Sequence, residues 1–292
     1  MIKGYRFLLL SWVWLSVLAL VSVVAGFLTF IIHCGLPSVD LHLFFGDTPV
    51  WSAILGQARV WDALWPACVG TFLVIVLAAF MAIPLGVGCG IYLAQYASPP
   101  FRKIVSFNVE LLAGTPSIVM GLFGFSLILF LRKTFLPQAN TCLFLSAGCL
   151  ALLILPYLIF TTQTALENIA QNQRLVGPSL GFNRLQTLLH VLLPAASKGI
   201  FGGIVLAVGR AAEDTAVIML TGVIANAGLP RGVFGNFEAL PFRIFYLAAE
   251  HRNQAELDSA YGTAFVLLCV VGVLFTGAYA LHKTMEWRWT KH

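Results

Sequence analysis

Three formal charges stand close together inside one of the most apolar stretches of the chain. They are Arg210, Glu213 and Asp214, in the run IFGGIVLAVGRAAEDTAVIMLTG. A charge at the centre of a bilayer costs about 3 kcal/mol even on the mildest scale. Such residues are kept there for a use or a partner. At 100° per residue, positions 213 and 214 flank position 210 one turn later, so all three are expected on one helix face. Arg before an acid is the weaker order for a helical pair, so local pairing is an incomplete account. This stretch reads as the lining of a path through a membrane. The competing reading is a purely structural counter-charge.

The second constellation lies just before it, in the polar segment TTQTALENIAQNQRLVGPSLGFNRLQTLLHVLLPAASKG. Gly181 is followed by nine residues and then by Val191-Leu192-Leu193-Pro194. A glycine between two short helical pieces permits a turn with positive φ. Pro194 is expected to stop the second piece before it runs into the next helix. Leu180, Leu188, Val191 and Leu192 give that piece an apolar face at helical spacing. A helix–turn–helix held in water under a membrane is a plug for a groove in a cytoplasmic partner. Spacing alone equally describes an ordinary amphipathic loop.

Other chemistries find no support. There is no GxxxxGK[ST] sequence to cradle the phosphates of ATP. No Ser/His/Asp arrangement stands out, and His190 reads as a boundary residue. The six cysteines are scattered, form no CxxC pair and have no histidines clustered near them. They read as small core hydrophobes, with no metal site and no disulfide. Nothing in the sequence asks this chain to be an enzyme or to carry a cofactor of its own.

The elements that must position these residues are membrane helices. The chain has 292 residues, 59% hydrophobic and 10% charged, with a mean hydropathy of +0.90. Soluble domains carry about 25% charged residues. Spans of about 20 residues leave room for about six crossings. They are expected over 7–32, 63–96, 105–131, 143–160, 200–224 and 261–281. The third is interrupted by AGTPSIVMGLFGF, where Pro116, Gly121 and Gly124 can bend or break a helix that faces protein or a cavity. That irregular backbone, with Ser117, is a candidate lining of the path, against the alternative of a packing kink. Pro84 and closely spaced glycines in the second span suit close helix packing.

Loop charges set the expected orientation. Lys3, Arg6, Arg102, Lys103, Arg174, Arg184, Lys198, Lys283, Arg288 and Lys291 fall inside, with the N-terminus cytoplasmic. Arg59, Arg132, Lys133, Arg231, Arg243 and Arg252 fall outside, and Arg132 with Lys133 dissents from the rule. The net charge of +5 includes no basic tract, so it speaks for topology and not for nucleic acid. The expected division is an N-terminal helix and external loop over 1–62, a transmembrane domain over 63–285 with a cytoplasmic loop at 166–197, and a cytoplasmic tail over 286–292.

The Gly181-to-Pro194 spacing resembles the coupling-loop motif of ABC importer permeases, usually written EAA, three residues, G, nine residues, I-x-L-P. From about Pro84 to Leu281 the chain more specifically resembles the PstA family of phosphate permease subunits. PLGVGCGIYLAQYA, LLAGTPSIVMGLFGF, GRAAEDTA, ALPFRIFYLA and AYGTAFVLL carry that resemblance. The chain departs from the family at two places. Leu175-Val176-Gly177 stand where Glu-Ala-Ala is usual, and Arg210-Ala-Ala-Glu213-Asp214-Thr215 stands where R-x-x-G-E-T is usual.

The resemblance implies an all-α permease of the type I, MetI-like fold. Its function would be ATP-driven import of inorganic phosphate into the cytoplasm by alternating access. A PstC-like permease would form a heterodimer with it. A PstB-like ATPase dimer would bind ATP and Mg below, and a PstS-like phosphate-binding protein would deliver substrate above. Arg210, Glu213, Asp214, Thr215, Pro116 and Ser117 would line the substrate path. Leu175, Val176, Gly177, Gly181, Val191, Leu193 and Pro194 would form the ATPase-coupling loop. The expected place is the bacterial inner membrane, in contact with lipid. A permease for another oxyanion, such as sulfate or molybdate, and a secondary transporter are the alternatives.

Overall fold

The computed structural model describes residues 2–57 and 60–290. Arg59 and Lys291, counted above in the loop charges, lie outside the described residues. The described chain is mostly helical. Its elements are α1 (Ile2–Gly35), α2 (Leu41–Phe45), α3 (Val50–Ile54), α4 (Trp65–Gln95), α5 (Pro99–Ala113), α6 (Ser117–Thr134), α7 (Leu143–Glu167), α8 (Gln171–Ser179), α9 (Arg184–Thr187), α10 (Leu193–Glu213), α11 (Ala216–Thr221), α12 (Leu240–Glu250) and α13 (Gln254–Thr290). Among the described residues, six segments are long and apolar enough to cross a membrane: Leu9–Ser38, Trp65–Gln95, Ser117–Thr134, Leu143–Glu167, Arg184–Glu213 and Gln254–Ala280.

α7 is the centre of the bundle. Its most apolar window is 61% buried, whereas that of α1 is 0% buried. Between helices in lipid there is no hydrophobic drive, so small residues set how closely they approach. A side chain at Gly86 or Gly90 of α4 would collide with Leu158 or Thr162 of α7. Both numbers rise together, so α4 and α7 run parallel. Gly199 and Gly203 of α10 are pressed against Ala165 and Thr161 of α7 in descending order, so α10 runs antiparallel to it. These contacts draw α4, α7 and α10 into one core, with Ile154 and Leu158 fully buried between them.

Two of the expected spans are cut by a break in the helix, each for a physical reason. The third span begins only at Ser117, after a break over Gly114–Pro116. The segment before it, α5, carries Arg102, Lys103, Asn108 and Glu110 and forms a separate amphipathic helix. The fifth span is not one rod from 200 to 224. It stops at Glu213, resumes as the short α11, and turns at Asp214 and Thr215.

Pro194 does not stop the helix before it. Leu188–Leu192 forms a wider π turn, with the Leu193 N–H donating to the Leu188 carbonyl, and α10 continues with Pro194 in its first turn. The one-residue shift absorbs the donor that proline lacks.

At the end of the bundle away from α8 and α9, a polar clasp closes the fold. The Arg243 guanidinium donates to the Asp62 carbonyl and faces the Glu238 carboxylate at 3.9 Å. Glu238 accepts the Gly228 N–H at 2.8 Å, and Asp62 and Asn226 bond each other through backbone and side chain. Asp62 and Asn226 are the two described non-glycine residues with positive φ, so this clasp fixes backbone that each would otherwise avoid. Burial pushes the Glu238 carboxyl above the usual range, opposed by the Gly228 N–H and by Arg243.

Candidate functional site

The three charges do not share one face as the helical count predicts. Arg210 and Glu213 sit on an open groove of about 800 Å³ between α10, α1 and α13. Gly202 and Leu206 line it along α10, Tyr157 enters from α7, and Phe27 and Phe275 form the opposite walls. Nη1 of Arg210 donates to Oε1 of Glu213 at 2.6 Å, and Glu213 is largely exposed.

Asp214 turns the other way and is buried, with its Oδ1 accepting the Val217 N–H at 2.9 Å. It therefore caps the first turn of α11, as a short acidic side chain does. Its second oxygen lies 3.8 Å from Nη2 of Arg210. One guanidinium thus holds an exposed acid on one side and leans on a fixed, buried one on the other. Thr215 stands at the bend itself, its carbonyl accepting the Met219 N–H at 3.0 Å.

Pro116 and Ser117 do not line this groove. Pro116 precedes α6 as its cap residue, and Ser117 is the first residue of the helix. α6 packs along α11, with Gly121 against Ala216 and Val217 and Gly124 against Thr221. The numbers rise together, so the two helices are parallel. This register brings the start of α6 level with the bend at Asp214 and Thr215. Two chain breaks that are far apart in sequence therefore lie at one depth.

The loop after α7 is a hairpin. α8 leads to Gly181, which has φ +76° and open space where a side chain would stand. Asn183 then opens α9 with a capping box, its side chain accepting from Gln186 while Gln186 bonds back to it. The hairpin presents two faces. Leu188 and Leu192 turn inward onto Leu166, Ile169, Ala196 and Ile200. Leu175, Val176, Leu180, Leu185 and Leu189 face outward and are largely exposed. Leu180 thus belongs to the outward face and not to the face of Leu188. Val191, Leu193 and Pro194 are half-buried at the base, where the hairpin joins α10. His190 is exposed and pairs with the Gln186 carbonyl at 3.0 Å.

Gly177 lies at the crossing of the two arms, where a Cβ would come within 2.4 Å of the Thr187 hydroxyl. Gly177→Ala is expected to splay the hairpin, and Gly177→Ala with Thr187→Ala to close it in part, since the two Cβ atoms would still meet at 2.9 Å. Limited proteolysis of the loop in detergent reads this directly. Equal cleavage of the wild type and the single variant would show that the close crossing is not needed.

Sequence reasoning missed Tyr157, Thr187 and the contacts of Arg174. Tyr157 sits in an unbroken apolar run with no polar neighbour to mark it. Thr187 matters only because Gly177 lands on it. Arg174 donates to the carbonyls of Leu166 and Ile169, a contact made across the turn between α7 and α8.

The all-α arrangement of spans in this bundle is shared with known proteins. The family model for binding-protein-dependent transport system inner membrane components matches residues 86–291. The chain belongs to that family. It is a multi-pass inner-membrane protein. Members similar to it include the phosphate transport system permease protein PstA of Haemophilus influenzae, 29% identical over 96% of this chain and 95% of that one. PstA of Mycobacterium leprae is 32% identical over 74% of this chain and 69% of that one. PstA of Xylella fastidiosa is 30% identical over 86% and 83%. Among solved structures, an inward-facing MetNI methionine ABC transporter superposes with a TM-score of 0.57, covering 81% of this chain and 99% of that one at 14% identity. That likeness supports the MetI-like arrangement of the spans.

Proposed function

We propose that the chain is the permease subunit of an ATP-driven importer of inorganic phosphate. The observation that carries this is the near end-to-end match to PstA proteins, together with a guanidinium presented on an open membrane groove. A planar fork of N–H donors suits a tetrahedral oxyanion. Glu213 is exposed and held only by its bond to Arg210, so an arriving phosphate displaces it. Asp214 stays in place because α11 depends on it. A carboxylate also accepts the proton that phosphate still carries and sulfate lacks. The paired chain breaks before α6 and α11 supply main chain at the same depth, and there Pro116, Ser117 and Thr215, which lie outside the groove itself, border the path where it continues beyond the groove.

The hairpin end is cytoplasmic in this reading, and so is the N-terminus. The outward leucines and Val176 dock into an ATPase. Leu175 and Val176 replace the usual Glu and Ala of the motif, so the contact is apolar rather than ionic. The ATPase is a PstB-like dimer that binds ATP and Mg. The second permease is PstC-like, and a PstS-like protein delivers phosphate from outside. Closure of the ATPase dimer moves the hairpins and switches the groove from outward to inward access.

The test is uptake by the reconstituted four-component assembly in proteoliposomes. Radiolabelled phosphate is expected to accumulate only with ATP and binding protein, and excess sulfate or molybdate is expected not to compete. Uptake that ignores ATP and follows an ion gradient would refute the reading.

A further inference from the structure

The hairpin is fastened to the bundle by more than its covalent ends. Arg174 immediately precedes Leu175 in α8, yet its guanidinium turns back toward α7. Nε donates to the Ile169 carbonyl at 3.3 Å and Nη2 to the Leu166 carbonyl. The last carbonyls of a helix lack partners within it, and a cation there is doubly favourable. The same helix end is gripped by a second contact. Glu167 accepts from Nη2 of Arg102 in α5 and from Nε2 of Gln163, the latter at 2.9 Å. Arg102 stands in the first turn of α5, and α5 leads through the Gly114–Pro116 break into α6.

A half-exposed ion pair such as Arg102–Glu167 adds little to stability. Its position is the informative part. The line of contacts runs from α8 through Arg174 to the end of α7, and from Glu167 through Arg102 to α5. α7 is the most buried span and packs along both α4 and α10. α5 ends at the break that lies level with the bend at Asp214 and Thr215. Neither the outward apolar tip of the hairpin nor the groove takes part in these contacts.

We propose that Arg174, Glu167 and Arg102 form a strut that converts movement of the hairpin into movement of α7 and α5. They are positioning residues. Their task is to keep transport tied to ATP hydrolysis, and attachment of the ATPase does not depend on them. The inference rests on the transporter reading above.

The experiment uses the complete assembly in proteoliposomes, with ATP hydrolysis and uptake of radiolabelled inorganic phosphate measured together. Arg174→Ala and Arg102→Ala are expected to keep the ATPase in the purified complex. Phosphate moved per ATP is expected to fall about threefold or more. Arg174→Lys restores part of the ratio, because one ammonium reaches one carbonyl. Glu167→Arg fails alone and recovers in combination with Arg102→Glu. A variant that is merely unstable would lose uptake and hydrolysis together and would leave the ratio unchanged. An unchanged ratio in both alanine variants overturns the strut. So does a charge-swapped double variant no better than its parents. A wild-type assembly without ATP-dependent phosphate uptake overturns the functional reading itself, and the strut with it.

Discussion

Arg210→Gln is expected to reduce phosphate uptake about a hundredfold or more while the chain stays in the membrane with its partners. The change removes two charge-assisted donors, each worth about 1.5–3 kcal/mol to a bound oxyanion. Loss of Arg210 alone has a second explanation, since it strands Glu213 and Asp214 in a low-dielectric setting. The structure separates the two.

Glu213 is exposed and Asp214 is a buried cap, so the acids can be neutralised without breaking the bend. Asn is as good a cap as Asp. Arg210→Gln combined with Asp214→Asn and Glu213→Gln therefore keeps α11 and removes every charge. If Arg210 meets phosphate, this triple variant remains inactive. If the charges only balance one another, their joint removal restores uptake, and that recovery would end the substrate role. Glu213→Gln alone is expected to keep uptake, because the acid it removes is the one that phosphate displaces. Asp214→Ala is expected to cost about 1 kcal/mol of local stability through the lost cap.

The second large effect is expected at Gly181. Its φ of +76° lies in the left-handed region, and nothing stands within 4 Å of the position a Cβ would take. Substitution there is a matter of backbone strain and of what docks on the turn. Gly181→Asn suits that conformation and is expected to leave uptake within about twofold of wild type. Gly181→Val places a β-branched residue where it is a true outlier. It is expected to abolish uptake and to remove the ATPase from the purified complex. Gly181→Asp tolerates the backbone angle but brings a charge to an apolar contact, and it is expected to fail in the same way. Full ATPase recovery with normal uptake in both the Val and Asp variants would dismiss the hairpin as a docking surface.

The spans were legible because an apolar run has few other uses in a chain this poor in charge. The break at Pro116 was legible too, since proline announces it. The bend at Asp214 was not. AAEDTA is built of residues a helix accepts, and only the bond from Val217 to Asp214 reveals that the aspartate opens a new helix. Leu188 and Leu192 are read correctly as the inward face of the hairpin, but Leu180 is not: it precedes the Gly181 turn, and only the packing of Leu188 and Leu192 on Leu166 and Ile169 shows that Leu180 faces outward. The groove was half legible. A charge in an apolar run points to a path, but the residues across from it come from α1, α7 and α13.

The π turn at Leu188–Leu192 bears on how force crosses this molecule. The direct route from hairpin to groove runs up the backbone into α10. That route passes through a widened turn and a proline within one stretch of seven residues, Leu188 to Pro194. Such a joint is the compliant link in a series, and it twists before the rod above it moves. A stroke delivered at the hairpin therefore spends itself as rotation at the joint unless a stiffer member runs alongside. The parallel member is α7, continuous through Glu167 and clamped at its end. On the transporter reading proposed above, the hairpin is a lever hinged at the π turn and tied at the clamped end of α7, so its two attachments to the bundle carry load unequally.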